Sequence, residues 1–168
     1  MKKIISFCLV LTSFMVSFGF VSCSRPKKDP NTITLWHWMT DRDKTFKELA
    51  AQYKELTGID VQIELFAPSD SYTQKVVASA QAKILPDIYG VLDTKETFAN
   101  FIKYGYIADL TQEFKKNDGE WEKELFTKAL DANRFEPGNG YDVPPGIYGV
   151  PLDVTNIQML YNKKKKRK

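Results

Sequence analysis

The chain has 168 residues, 43% hydrophobic and 13% aromatic, which suits one packed domain of ordinary size and argues against a disordered chain. Its formal charge of +3 is carried by its ends: without Lys2, Lys3 and the six cations at 163–168, the total of 24 Lys and Arg falls to 16, against 21 Asp and Glu in residues 23–162. The body is therefore mildly acidic, which argues against nucleic acid as a partner.

Lys2 and Lys3 precede an uncharged run from Ile4 to Phe20 that contains three serines, a threonine and a glycine. It is shorter than the roughly 20 apolar residues of a membrane-spanning helix. The layout of basic start, apolar run and small residues predicts an export signal over residues 1–22 rather than an anchor. Phe20-Val21-Ser22-Cys23 resembles a bacterial lipobox, with Phe20 in place of the usual leucine, and so marks Cys23 for lipidation. The other cysteine, Cys8, lies inside the signal, so the mature chain has no partner for an internal disulfide. The resemblance implies attachment to a membrane through lipid, in the cell envelope and outside the cytoplasm.

Residues 23–32, with two prolines and no apolar period, read as a tether. Ile33 to Trp38 is short and rich in β-branched and aromatic residues, which predicts a strand. Residues 41–58 place Phe46, Leu49, Ala50, Tyr53 and Leu56 at helical spacing, with Asp41 or Asp43 as N-cap and Gly58 as stop. Ile59, Val61, Ile63 and Leu65 alternate in a second strand. A helix over 69–83 carries Tyr72, Val76 and Ala80 on one stripe and leads into a third strand over 86–92. Helices follow over 94–105, with Phe98, Phe101 and Ile102 inward and Gly105 as stop, and over 120–130, with Trp121, Leu125 and Phe126. Residues 134–146 are rich in Gly and Pro and read as a loop; strands are predicted at 148–151 and 157–161. Strand, helix, strand in this order gives an α/β fold with a mostly parallel sheet flanked by helices.

In such a sheet, ligands bind beyond the carboxyl ends of the strands. The stretches reaching that edge carry Trp36, Trp38, Tyr72, Asp93, Asp153, Thr155 and Asn156. Aromatic faces beside carboxylates and amides suit a sugar, whose C–H faces stack while its hydroxyls need donors and acceptors. Duller roles compete for the same residues: Trp36 and His37 point to opposite faces of a covered strand and can be core, Asp93 can cap the helix starting near Thr94, and Asp87 reads as a strand-entry or turn residue. The chain has one histidine, no nucleophile elbow, no metal-ligand spacing and no cofactor loop. A pair such as Asp93 and Asp153 leaves a secreted carbohydrate-active enzyme as a rival reading. A surface lipoprotein without a small ligand is the other.

The lipobox, "ITLWHWMTD", "GIDVQIELF", "SYTQKVVASAQAKILPDIYGV" and "GIYGVPLDVTNIQMLYNK", in this order, resemble the first half of a family 1 extracellular solute-binding protein, the sugar-binding lipoprotein of ABC importers. The resemblance implies a periplasmic-binding-protein-like fold of type II, two lobes holding a sugar between them, with residues 33–163 as the first lobe. It implies a carbohydrate ligand, an ABC permease as partner, no cofactor and no catalysis. It places cleft contacts at Trp38, Met39, Thr40, Asp93, Asp153 and Asn156. The family continues into a second lobe after "YNK". Lys164 to Lys168 do not fit its pattern, so the expectation is a chain cut off by a frameshift in an adenine-rich tract or by a contig end, with the second lobe missing.

Overall fold

The structure, a computed structural model, describes residues 29–92 and 94–152. The predicted signal and Cys23, the strand at 157–161, the tail at 164–168, and Asp93, Asp153 and Asn156 lie outside the described residues.

Strand β1 (Thr32–His37) sits at the centre of a three-stranded parallel sheet of order β2-β1-β3, between β2 (Asp60–Leu65) and β3 (Ile88–Tyr89). The β1–β2 register runs from Thr32 opposite Asp60 to His37 opposite Leu65; β1 and β3 share only Leu35 with Ile88 and Trp36 with Tyr89. Helix α1 (Asp43–Thr57) connects β1 to β2, and α2 (Ser69–Gln81) connects β2 to β3. The predicted α/β layout is therefore present, with a parallel sheet and helices on its faces. The third strand is shorter than the predicted 86–92.

Asp87 forms the entry to β3. Its carboxylate accepts from both the N–H and the hydroxyl of Thr34 at 2.8 Å, and its own N–H donates to that hydroxyl oxygen at 3.1 Å. A side chain thereby extends the β1–β3 connection where the backbone ladder has not yet begun, the strand-entry role its position suggests.

Helix α1 ends as predicted, at Gly58, whose φ of 75° lets its N–H reach the Lys54 carbonyl. Its N-cap is Arg42, not Asp41 or Asp43. Asp43 is engaged elsewhere: it accepts from Lys47 at 2.7 Å and pairs with His37 Nε2 at 3.2 Å. The Lys47 hydrogen bond, with a smaller contribution from His37, holds its carboxyl below the usual carboxylate range. His37, only 2% exposed, stacks edge-on against Phe46 and ties α1 to β1. The rest of the predicted inward stripe is open, with Leu49, Tyr53 and Leu56 all exposed and no residue of α1 buried. The helix lies over β2, the edge strand of a narrow sheet.

On the opposite face, α2 and α3 (Lys95–Lys103) close a core of Tyr72, Val76, Ala80 and Phe101. Thr94 caps α3 by accepting from the Thr97 N–H, so the cap predicted for Asp93 is supplied one residue later. The chain then passes through α4 (Thr111–Lys115) and a kink at 116–119, where Asn117, Asp118 and Gly119 all have left-handed φ. The helix predicted over 120–130 is two short ones, α5 (Glu120–Glu124) and α6 (Thr127–Asp131), separated by an extended Leu125. Packing imposes this break. Trp121 stacks flat on Phe114 at 4.3 Å, Leu125 turns toward Phe114 and Leu130, and Phe126 is left in solvent.

The predicted loop at 134–146 is a loop over 136–145, but its ends form an antiparallel pair, β4 (Arg134–Phe135) with β5 (Gly146–Ile147), and the strand predicted at 148–151 is not formed. Between them, the Asn139 amide donates to the carbonyls of Glu136 and Val143 at 2.8 and 2.9 Å and accepts from the Tyr141 N–H at 2.9 Å. Gly149 of the "YGVP" stretch passes so close to Asn133 that a Cβ there would lie 2.5 Å from its Oδ1.

Candidate functional site

The carboxyl edge of the parallel sheet is formed by the ends of β1, β2 and β3, followed by Trp38 to Thr40, Phe66 to Pro68, and Gly90 to Leu92. Three of the sequence-predicted site residues, Trp36, Trp38 and Tyr72, meet there in one cluster. Thr40 is exposed just beyond them. Asp93, Asp153 and Asn156 lie outside the described residues, so the carboxylates and amide expected beside the rings have no geometry here.

The three aromatics occupy different positions. Trp36 is half-buried on the helix-covered face, edge-on to Phe66 at 5.0 Å. The Lys75 ammonium lies 4.4 Å from both ring centroids, so that the cation rests against two π faces at once. Tyr72 is fully buried. Its hydroxyl accepts from the Gly90 N–H at 2.8 Å and donates toward the Gly90 carbonyl at 3.0 Å, with the Trp36 carbonyl sharing that proton at 3.2 Å. This hydroxyl stands at the point where the β1–β3 ladder ends, and it satisfies backbone groups that the ladder no longer reaches. Burial raises its pKa to about 12, so it remains a neutral donor throughout the ordinary pH range. Tyr72 is thus placed as an internal strut beneath the rim. Trp38 alone of the three combines partial exposure with a position beyond the last strand residue.

Trp38 packs on Tyr72 at 5.1 Å between centroids and lies over Gly90. Sequence places Gly90 inside the predicted strand at 86–92 and does not single it out. The signal that could have found it is the combination of glycine with β-forming neighbours, which indicates close approach by another group.

Beside Gly90, between α2, the end of β3 and α3, is a small hollow with a cavity volume of about 10 Å³, lined by Thr73, Val76, Val91, Leu92 and Phe101 among others. That is smaller than the ~300–1,000 Å³ of a typical ligand pocket. The edge therefore offers a wall with an aromatic face, not an enclosed pocket. Among the described residues, no group of three His, Cys, Asp or Glu side chains is placed to hold a metal ion, and no helix is long and apolar enough to cross a membrane.

Comparison with known proteins gives three findings. Residues 48–168 match the family described as bacterial extracellular solute-binding protein. Among solved structures, one reported in a study of xylan utilisation by the thermophilic bacterium Caldanaerobius polysaccharolyticus is 25% identical, with a TM-score of 0.52; the match covers 71% of this chain and 28% of that one. An ABC substrate-binding protein from Listeria monocytogenes, solved in complex with cycloalternan, is 22% identical with a TM-score of 0.51, over 62% of this chain and 26% of that one. The chain thus spans little more than a quarter of the length of these structures. No curated protein matches it.

Proposed function

The chain belongs to the bacterial extracellular solute-binding proteins, and from that premise we propose that it captures a sugar or oligosaccharide for an ABC importer, held at the membrane by lipid on Cys23. Membership makes it a binder and not an enzyme. The observation that carries the sugar reading is Trp38, a half-buried ring at the carboxyl edge of a parallel sheet, where an apolar sugar face can stack. The study of xylan utilisation from which one similar structure comes supports a carbohydrate ligand. The family 1 grouping rests on the motif order described above.

In a two-lobed binder the ligand is contacted from both sides, with about 70–90% of its surface covered. A ligand on one wall loses roughly half of that contact, while the entropic cost of association remains several kcal/mol. Each 1.4 kcal/mol is about tenfold in affinity, so the 168-residue chain is expected to bind sugars only near the millimolar range. The test is fluorine NMR of the protein labelled with 5-fluorotryptophan, titrated with maltotriose and with xylotriose. One of them should shift the Trp38 resonance at millimolar concentration, and Trp38→Ala should abolish saturable binding. If both leave all three tryptophans unmoved, the sugar reading fails; the remaining reading is a surface lipoprotein without a small ligand.

Lipid attachment has its own check. Cys23→Ser should eliminate incorporation of labelled palmitate in a bacterial host and leave an unprocessed precursor. Unchanged labelling would place the lipid elsewhere or nowhere.

A further inference from the structure

Gly90 has no need of glycine's conformational freedom: its φ is not in the left-handed region. What it provides is room. A Cβ at Gly90 would lie 2.6 Å from Cζ3 and 3.0 Å from Cη2 of Trp38, well inside van der Waals contact. The indole rests directly on the β3 backbone, and its neighbouring support is the ring of Tyr72, 5.1 Å away and tilted by 46°. The same Tyr72 fixes the backbone under the indole, because its hydroxyl bonds to the N–H and the carbonyl of Gly90. Glycine under the ring, a buried phenol beside it and two hydrogen bonds joining the two make a rigid seat for one side chain.

We propose that Gly90 and Tyr72 are positioning residues that set the plane of the Trp38 ring, so that the lobe presents a preset aromatic face to its solute. The selectivity consequence rests on the sugar-binding reading above: a fixed flat face favours ligands with a flat apolar face of matching orientation, as pyranose rings have, over flexible polyols of the same size. Because the ring is held before ligand arrives, no freedom of Trp38 is lost on binding.

The positioning can be tested without any ligand. In the 168-residue protein labelled with 5-fluorotryptophan, the three resonances are assigned by Trp→Phe substitution. Gly90→Ala should move the Trp38 resonance and leave that of Trp121, in another cluster, in place. Tyr72→Phe retains the ring contact and removes the hydroxyl, and should broaden or shift the same resonance. A double-mutant cycle guards against a trivial loss of folding: the destabilisation caused by Gly90→Ala should largely disappear in a Trp38→Ala background, since the clash is with that ring. An unmoved Trp38 resonance in both single variants, or a Gly90→Ala destabilisation that persists without Trp38, overturns the proposal. Maltotriose and xylotriose then separate the two readings. If either binds the parent protein, Gly90→Ala should weaken it about three- to tenfold, the value of one aromatic contact, and unchanged affinity overturns the selectivity consequence. If neither binds, the sugar reading falls, while the resonances and the cycle still decide the positioning.

Discussion

Phe114→Ala is expected to lower stability by about 3–5 kcal/mol, the range for removing a large aromatic from a packed core. Phe114 is fully buried and joins α4 to three other elements: Leu130 of α6, Ile147 of β5, and Trp121 of α5, whose ring lies parallel to it within 4°. Helices α5 and α6 are single turns that pack on this cluster through Trp121 and Leu130. A domain of this size has about 5–15 kcal/mol in total. The variant should therefore melt about 6–20 °C lower, at about 2–4 °C per kcal/mol, and hydrogen exchange should show 110–131 opening first. A loss below about 1 kcal/mol in urea denaturation would mean that the α4–α6 segment is not anchored there.

Lys95→Met should cost about 2–3 kcal/mol, although a charged residue at a helix start is ordinarily replaceable. The Lys95 ammonium donates to the carbonyls of Ala132 and Arg134 and lies 4.1 Å from the centroid of the buried Phe135. It is the polar part of a link between α3 and the two-stranded sheet whose apolar part is Phe98, Ala99 and Ile102 against Phe135. Burial lowers its pKa, yet as an ammonium it serves two carbonyl oxygens and an aromatic face together. Methionine would fill the volume and leave both carbonyls without their donor, so the comparison with Lys95→Arg isolates hydrogen bonding from packing. Equal melting of the Met variant and the parent would contradict this account.

The parallel α/β layout was readable from sequence where local signals agreed. Ile59 to Leu65 alternate, Tyr72, Val76 and Ala80 share a helical stripe, and Gly58 and Gly105 carry the positive φ that ends a helix. Other features were hidden for identifiable reasons. Two-residue strands such as β4 and β5 are too short for any alternation, and a run of Gly and Pro conceals them. The apolar period through Trp121, Leu125 and Phe126 continues across a break that only Phe114, from another helix, imposes. Leu49, Tyr53 and Leu56 have the right spacing for burial, but periodicity cannot say how wide the sheet beneath them is. At the candidate site, sequence brought Trp36, Trp38 and Tyr72 to one edge but could not distinguish strut from wall. That distinction lies in which oxygen meets the Gly90 N–H, a contact between residues 18 positions apart.

The hydrogen bonds of the Asn139 amide also bear on how the protein ages. Asn139 precedes Gly140, the neighbour that least hinders attack of the backbone nitrogen on a side-chain amide, the first step of spontaneous deamidation. Here that amide is occupied by Glu136, Tyr141 and Val143, which holds it away from its own backbone and slows the reaction. Once hydrolysed, the new carboxylate would face two carbonyl oxygens with no proton to offer, and the turn would repel itself. The loop therefore acts as a chemical clock, slow while folded and fast in every unfolding excursion, and the fraction of acid at position 139 in an old sample would record how often it had opened.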